Sequence, residues 1–133
     1  KLKTYGIQLN PGLSMVQFQG PSDRFQKTRQ RLTANGDSDA MFHLVSVMQI
    51  SGRIMDAVVV MDAGGTENVD LITFHGPHFG DRYRILQTAL NCLETEHAPL
   101  RAAACAGASI SLVFPAGAGE AAQAALAKGF EAP

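Results

Sequence analysis

The fold class that this sequence predicts is α+β, an antiparallel sheet with helices packed on one face. Three observations lead there. A short phrase is written twice, as "VQFQGPSDRF" from Val16 and as "ITFHGPHFGDRY" from Ile72; each reads branched aliphatic, any residue, Phe, any residue, Gly-Pro, then Asp-Arg and an aromatic ring. Each phrase belongs to the same predicted order of strand, helix, strand, strand. One such unit alone would leave an apolar sheet face and a sheet edge bare, and two copies in one chain can cover each other.

The elements follow from periodicity and punctuation. Residues 13–19 alternate as a short strand, and Gly20-Pro21 is expected to end it. Ser22 or Asp23 caps a helix running to about residue 34, with Asn35-Gly36 as its stop and Phe25 and Leu32 on one face. Residues 41–50, rich in Val, Leu, Ile and Phe, predict a largely buried strand. Ser51-Gly52-Arg53 turns the chain into a returning strand over 54–61. After Ala63-Gly64-Gly65-Thr66 the order recurs. A strand over 69–74 leads into the loop Gly76-Pro77-His78-Phe79-Gly80, and Asp81 opens a helix to about Thr95 with Tyr83, Leu86, Leu90 and Leu93 on its buried face. Residues 100–106 and 109–114 make a second hairpin about Gly107, and a last helix over 120–129 carries Ala122, Leu126 and Phe130 as one stripe. The units are placed at 1–65 and 66–133, the first without a second helix.

Composition narrows the function. With 133 residues, 46% apolar and 17% charged, the chain suits one ordinary domain or two small ones sharing a core. A net charge of −1 with both signs interspersed offers nothing to nucleic acid or an anionic membrane. No apolar run has the length of a membrane span, and the Lys1 start, unlike a signal peptide, is expected of a module cut from a longer polypeptide. Cys92 and Cys105 read as buried free thiols of a reducing, cytoplasmic compartment.

The second unit, with its glycine loop and Asp-Arg, its helix ending in Leu, its "SISLV" strand and its alanine-rich helix ending in Leu126-x-x-x-Phe130, resembles an ACT domain of the aspartate kinase regulatory region. "YGIQLNPGLSMVQFQGPSDRF" resembles the beginning of the first domain of such a tandem pair. The resemblance implies a ferredoxin-like tandem sandwich that senses a small metabolite, usually an amino acid, at an inter-domain or dimer interface and controls a linked or partner enzyme. It further implies a homodimer, no cofactor, and an interleaved pair in which one domain is completed by chain from elsewhere.

The residues support a binding region on their own terms. A strand leading through Gly-Pro into a helix start presents unpaired N–H groups and a partly positive end, which suit a carboxylate. Asp23 or Asp81 is placed to take an ammonium group, and Arg24 or Arg82 to hold the carboxylate with its planar fork. The expected site is therefore Gly20, Pro21, Ser22, Asp23 and Arg24 in the first copy. In the second it is Gly76, Pro77, His78, Phe79, Gly80, Asp81 and Arg82. A capping aspartate beside a solvated arginine is the simpler account of each pair taken singly. A structural, dimerising module without a ligand is a competing reading, since Gln26 and Arg84 stand where the family commonly has Gly. A third is a metal-responsive regulator through His75 and His78, although their spacing is no structural zinc signature. Ser109, Ser111 and Asp56 have no paired base at a useful spacing, and no phosphate-cradling loop or metalloprotease motif is present, so a non-enzyme is expected.

Overall fold

In the computed structural model the described residues are 2–21, 23–24, 27, 42–52, 54–76, 82–97, 99–106 and 109–131. They form β1 (Leu2–Lys3), β2 (Gly6–Pro21), β3 (Phe42–Ser51), β4 (Ile54–Met61), β5 (Glu67–His75), α1 (Arg82–Thr95), β6 (Ala102–Ala106), β7 (Ser109–Pro115), α2 (Gly119–Leu126) and β8 (Phe130–Glu131). The chain divides into two compact units, one of Lys1–Gly12 with Val69–Pro133, the other of Leu13–Asn68.

In the first of these, β5, β7 and β6 pair antiparallel in the registers Phe74↔Ile110 and Cys105↔Ile110. The opening half of β2 lies on the other side of β5, giving the order β6–β7–β5–β2. Tyr5 N–H donates to His75 O at 2.7 Å, while Gly12 N–H reaches the Asp70 carboxylate at 3.2 Å, so these two segments run in opposite directions. A two-residue parallel pair, Leu2↔Phe130 and Lys3↔Glu131, ties β1 to β8. Both helices cover one sheet face. The core joins Ile72 and Phe74 of β5 and Ile110, Leu112 and Phe114 of β7 to Ile85, Ala89 and Leu93 of α1 and Ala122, Ala125 and Leu126 of α2. This is the ferredoxin-like sandwich with helices on one face, completed by a strand from the start of the chain.

Two helix expectations change. The α1 stripe is Ile85, Ala89 and Leu93, four residues apart, with Leu86 and Cys92 partly buried beside it; Leu90, expected inside, is 40% exposed. The i, i+4 spacing sets Ile85, Ala89 and Leu93 on one face, and the 100° step per residue turns Leu90 away from it. Phe130 is buried as expected, but on β8 and not on the last helix, which ends at Leu126. Tight turns, Lys128 N–H to Ala125 O at 3.2 Å and Gly129 N–H to Leu126 O at 3.0 Å, stop the helix. They bring the Phe130 ring edge-on to Phe74 at 5.0 Å.

In the unit of Leu13–Asn68, the closing half of β2 pairs with β4 from Ser14↔Met61 to Pro21↔Ile54, and β4 pairs with β3 as the predicted hairpin. Gly20-Pro21 thus lies inside the strand rather than after it, Pro21 taking the last position, where a missing N–H is tolerated. The strand also starts earlier than residue 13, because each half of β2 finds a different partner strand. Leu13, Met15, Ala57, Val59, Val60 and Met61 are buried. Against expectation β3 is not largely buried: Val45 and Met48 are 52% and 63% exposed. It stands at the end of the strand order beside β4 alone among the described residues, and an edge strand has less cover. Residues 23, 24 and 27 are helical; the rest of the predicted first helix, with Asn35-Gly36, lies outside the described residues.

Candidate functional site

The end of β5 is built from its strand outward. Phe74 anchors β5 in the core, His75 turns outward, and Gly76 is buried. His75 O takes two donors from the start of the chain, Tyr5 N–H and the Thr4 hydroxyl, both at 2.7 Å. Thr4 is itself 2% exposed and donates its N–H to Glu131 O at 2.9 Å. The exposed Tyr5 ring lies tilted against the His75 ring at 5.5 Å. Helix α1 then begins at Arg82, and its first amides lack intrahelical acceptors, so this end attracts anions.

Of the residues predicted here, Gly76 follows directly after β5 and Arg82 opens α1; Pro77, His78, Phe79, Gly80 and Asp81 lie outside the described residues. In the other copy Gly20 and Pro21 finish β2, and Asp23 and Arg24 follow as exposed helical residues, while Ser22 lies outside. A Cβ at Gly20 would meet Phe18 Cζ at 3.1 Å, so the strand end leaves little space for a larger residue.

The three described histidines lie apart in separate surroundings. His75 faces Tyr5, and His43, the extra residue at a register shift between β3 and β4, pairs with Asp62 at 2.6 Å. His97 adopts a left-handed φ of 55° just past α1, with its N–H on Glu94 O at 3.1 Å. Among the described residues no three His, Cys, Asp or Glu side chains gather to hold a metal ion. Ser109 and Ser111 are half-buried and pair with His75 and Thr73 across the β5–β7 ladder. The Cys92 thiol, packed beside Gly129, has its pKa raised by burial, an effect that nearby Lys128 partly offsets. Both cysteines are free, and no helix among the described residues is long and apolar enough to cross a membrane.

Sequence reasoning passed over Asp70, a buried carboxylate that accepts three backbone hydrogen bonds. It is 4% exposed. One carboxylate oxygen accepts from Gly12 N–H at 3.2 Å; the other accepts from Gly117 N–H at 3.0 Å and Gly119 N–H at 2.9 Å. A charge inside a buried strand needs such donors, and here it also faces the positive start of α2. Gly119 makes the approach possible, since a Cβ there would come within 2.8 Å of the same oxygen. The available signal was a lone acid within the apolar run 69–74.

No protein-family model matches the chain, and no curated protein matches it by sequence. Solved structures do match by fold. The ligand-free regulatory subunit of aspartate kinase from Thermus thermophilus aligns with a TM-score of 0.74 over 96% of this chain and 99% of that one, at 15% identity. The corresponding subunit from Thermus flavus gives 0.73 over 95% and 97%, at 13% identity. Aspartokinase III of E. coli, in complex with aspartate and ADP, gives 0.59 over 91% of this chain and 31% of that one, at 13% identity. Across nearly its whole length, therefore, the chain has the ferredoxin-like ACT fold of the aspartate kinase regulatory subunits.

Proposed function

We propose that this chain is a non-catalytic regulatory module that senses an amino acid or related metabolite and sets the activity of a linked or partner enzyme. The observation that carries this reading is the likeness of fold, nearly end to end, to the regulatory subunits of aspartate kinases. The chemistry of the bends agrees with it. In the second copy the start of α1 suits a carboxylate, with Arg82 as its fork and Asp81 for the ammonium; in the first copy Arg24 and Asp23 take the same parts. Two copies associate as a homodimer, and the effector sits where the copies meet. Binding regulates only by favouring one of two arrangements, so the affinities of those arrangements for the effector differ.

The test is thermal unfolding of the chain against the twenty amino acids and a series of divalent metals. An effector at a hundred times its dissociation constant stabilises the folded state by about 2.7 kcal/mol. Arg82→Gln and Asp81→Asn abolish that shift while leaving the ligand-free melting temperature in place. A chain unmoved by every amino acid overturns the sensing role and leaves a structural, dimerising module. A shift with nickel or zinc alone transfers the role to metal.

A further inference from the structure

The first twelve residues are attached in an unusual way. Among the described side chains from Lys3 to Gly12 only Thr4 is fully buried, and Ile7 and Leu9 are partly buried against the core. The rest of the attachment is hydrogen bonding: the two-residue pair of β1 with β8, Thr4 N–H on Glu131 O, the pairing of the opening half of β2 with β5, and side-chain or end contacts at three further places. At one end the Thr4 hydroxyl and Tyr5 N–H hold His75 O; midway Gln123 Nε2 donates to Ile7 O at 2.8 Å; at the far end Gly12 N–H holds Asp70. Segments held by few apolar contacts and several directed bonds open locally at low cost.

We infer that residues 2–12 form a releasable strap, and that Asp70 is the positioning residue that makes strap release and loosening of the α2 start one event. The geometry supplies the coupling. Asp70 divides its two oxygens between the strap and the loop leading into α2. When Gly12 leaves, the carboxylate oxygen it held opens to water, and the side chain, no longer fixed from both sides, can turn toward solvent and loosen its bonds to Gly117 and Gly119. Leu9 adds a second link, because its Cδ1 lies against Gly119. Release also uncovers one edge of β5 and frees the His75 carbonyl next to Gly76. A ligand held beside Gly76 would therefore bias the strap, a consequence that rests on the regulatory reading above; the strap itself does not.

Amide hydrogen exchange by NMR on the full chain tests the inference without any ligand. Thr4→Val removes the hydroxyl that donates to His75 O and accepts from Gly6 N–H, both at the end remote from Asp70. Exchange at Tyr5 should rise roughly fivefold, and Gly12, Gly117 and Gly119 should rise by the same factor although Thr4 touches none of them. Amides of the β2–β4 ladder from Ser14 to Gln19 serve as the unchanged reference. Asp70→Asn, which turns one acceptor into a donor, should speed Tyr5 and Ile7 in the converse direction. Faster exchange at Tyr5 with wild-type rates at Gly117 and Gly119 overturns the proposal, and the Thr4 variant decides alone should Asp70→Asn fail to fold. Coupled exchange in a chain that no amino acid stabilises would retain the strap and discard the sensing role.

Discussion

Consider Gly119→Ala, a change that ordinarily strengthens a helix. Alanine is favoured over glycine in a helix interior by about 0.8–1 kcal/mol. At this position the new methyl would lie 2.6 Å from Leu9 Cδ1, 2.8 Å from an Asp70 oxygen and 2.9 Å from Asp70 Cβ. The leucine methyl can swing away, but Asp70 cannot, because its other oxygen is held by Gly12 and its backbone lies inside the β5–β7 ladder. So α2 must retreat, stretching the bonds from Gly119 at 2.9 Å and Gly117 at 3.0 Å. Overpacking of this kind costs about 1–3 kcal/mol, and weakening one hydrogen bond to a charged group costs about 1.5–3 kcal/mol. Against the helix gain, the net loss is about 2–5 kcal/mol. Equilibrium urea unfolding followed by circular dichroism measures it as a lower midpoint at unchanged slope. A variant as stable as the parent, or more stable, would show that Asp70 does not clasp α2 as described.

Gly65→Ala should destabilise the unit of Leu13–Asn68 by roughly 1–3 kcal/mol, because the methyl would press on the Ser14 hydroxyl and on Met15 backbone atoms at 2.7 and 2.8 Å; loss of β3–β4 amide protection at lower urea than in the parent is the readout. Phe74→Ala should cost about 3–5 kcal/mol by opening a cavity under both helices and removing the edge-on contact with Phe130, read from the unfolding midpoint. The Cys92 thiol, held neutral by burial, should alkylate more slowly in the folded chain than in urea at the same pH. The sign for stability follows: with a folded-state pKa above the unfolded one, this thiol's contribution is intact below the ordinary thiol pKa and declines as pH rises past it.

Much of the layout was legible because it is written locally. The β4 boundaries, its hairpin with β3 and the start of α1 near residue 82 follow from alternation, a glycine turn and a helical apolar period, all properties of neighbouring residues. Leu90 was misread because Tyr83, Leu86, Leu90 and Leu93 make as good a stripe on paper as Ile85, Ala89 and Leu93; which face turns inward is settled by fit against β5 and β7. The burial of β3 was overestimated for a related reason, since Val-rich composition does not say whether a strand is central or at an edge. For the candidate site, the repeated Gly-Pro phrase was visible as text, whereas the Thr4–Tyr5 clasp on His75 was not, because backbone donors carry no residue signature.

The order of elements from β3 to α2 was determined by the sequence alone, through periodicities that act over a few residues. Tertiary structure decided that β2 serves two partners, its first half β5 and its second half β4, and that Gly12, Asp70, Gly117 and Gly119 meet at one carboxylate. The reason is physical: peptide N–H and C=O groups are alike at every residue, so the pairing of distant segments is chosen by which arrangement buries the apolar faces and leaves no charge without donors.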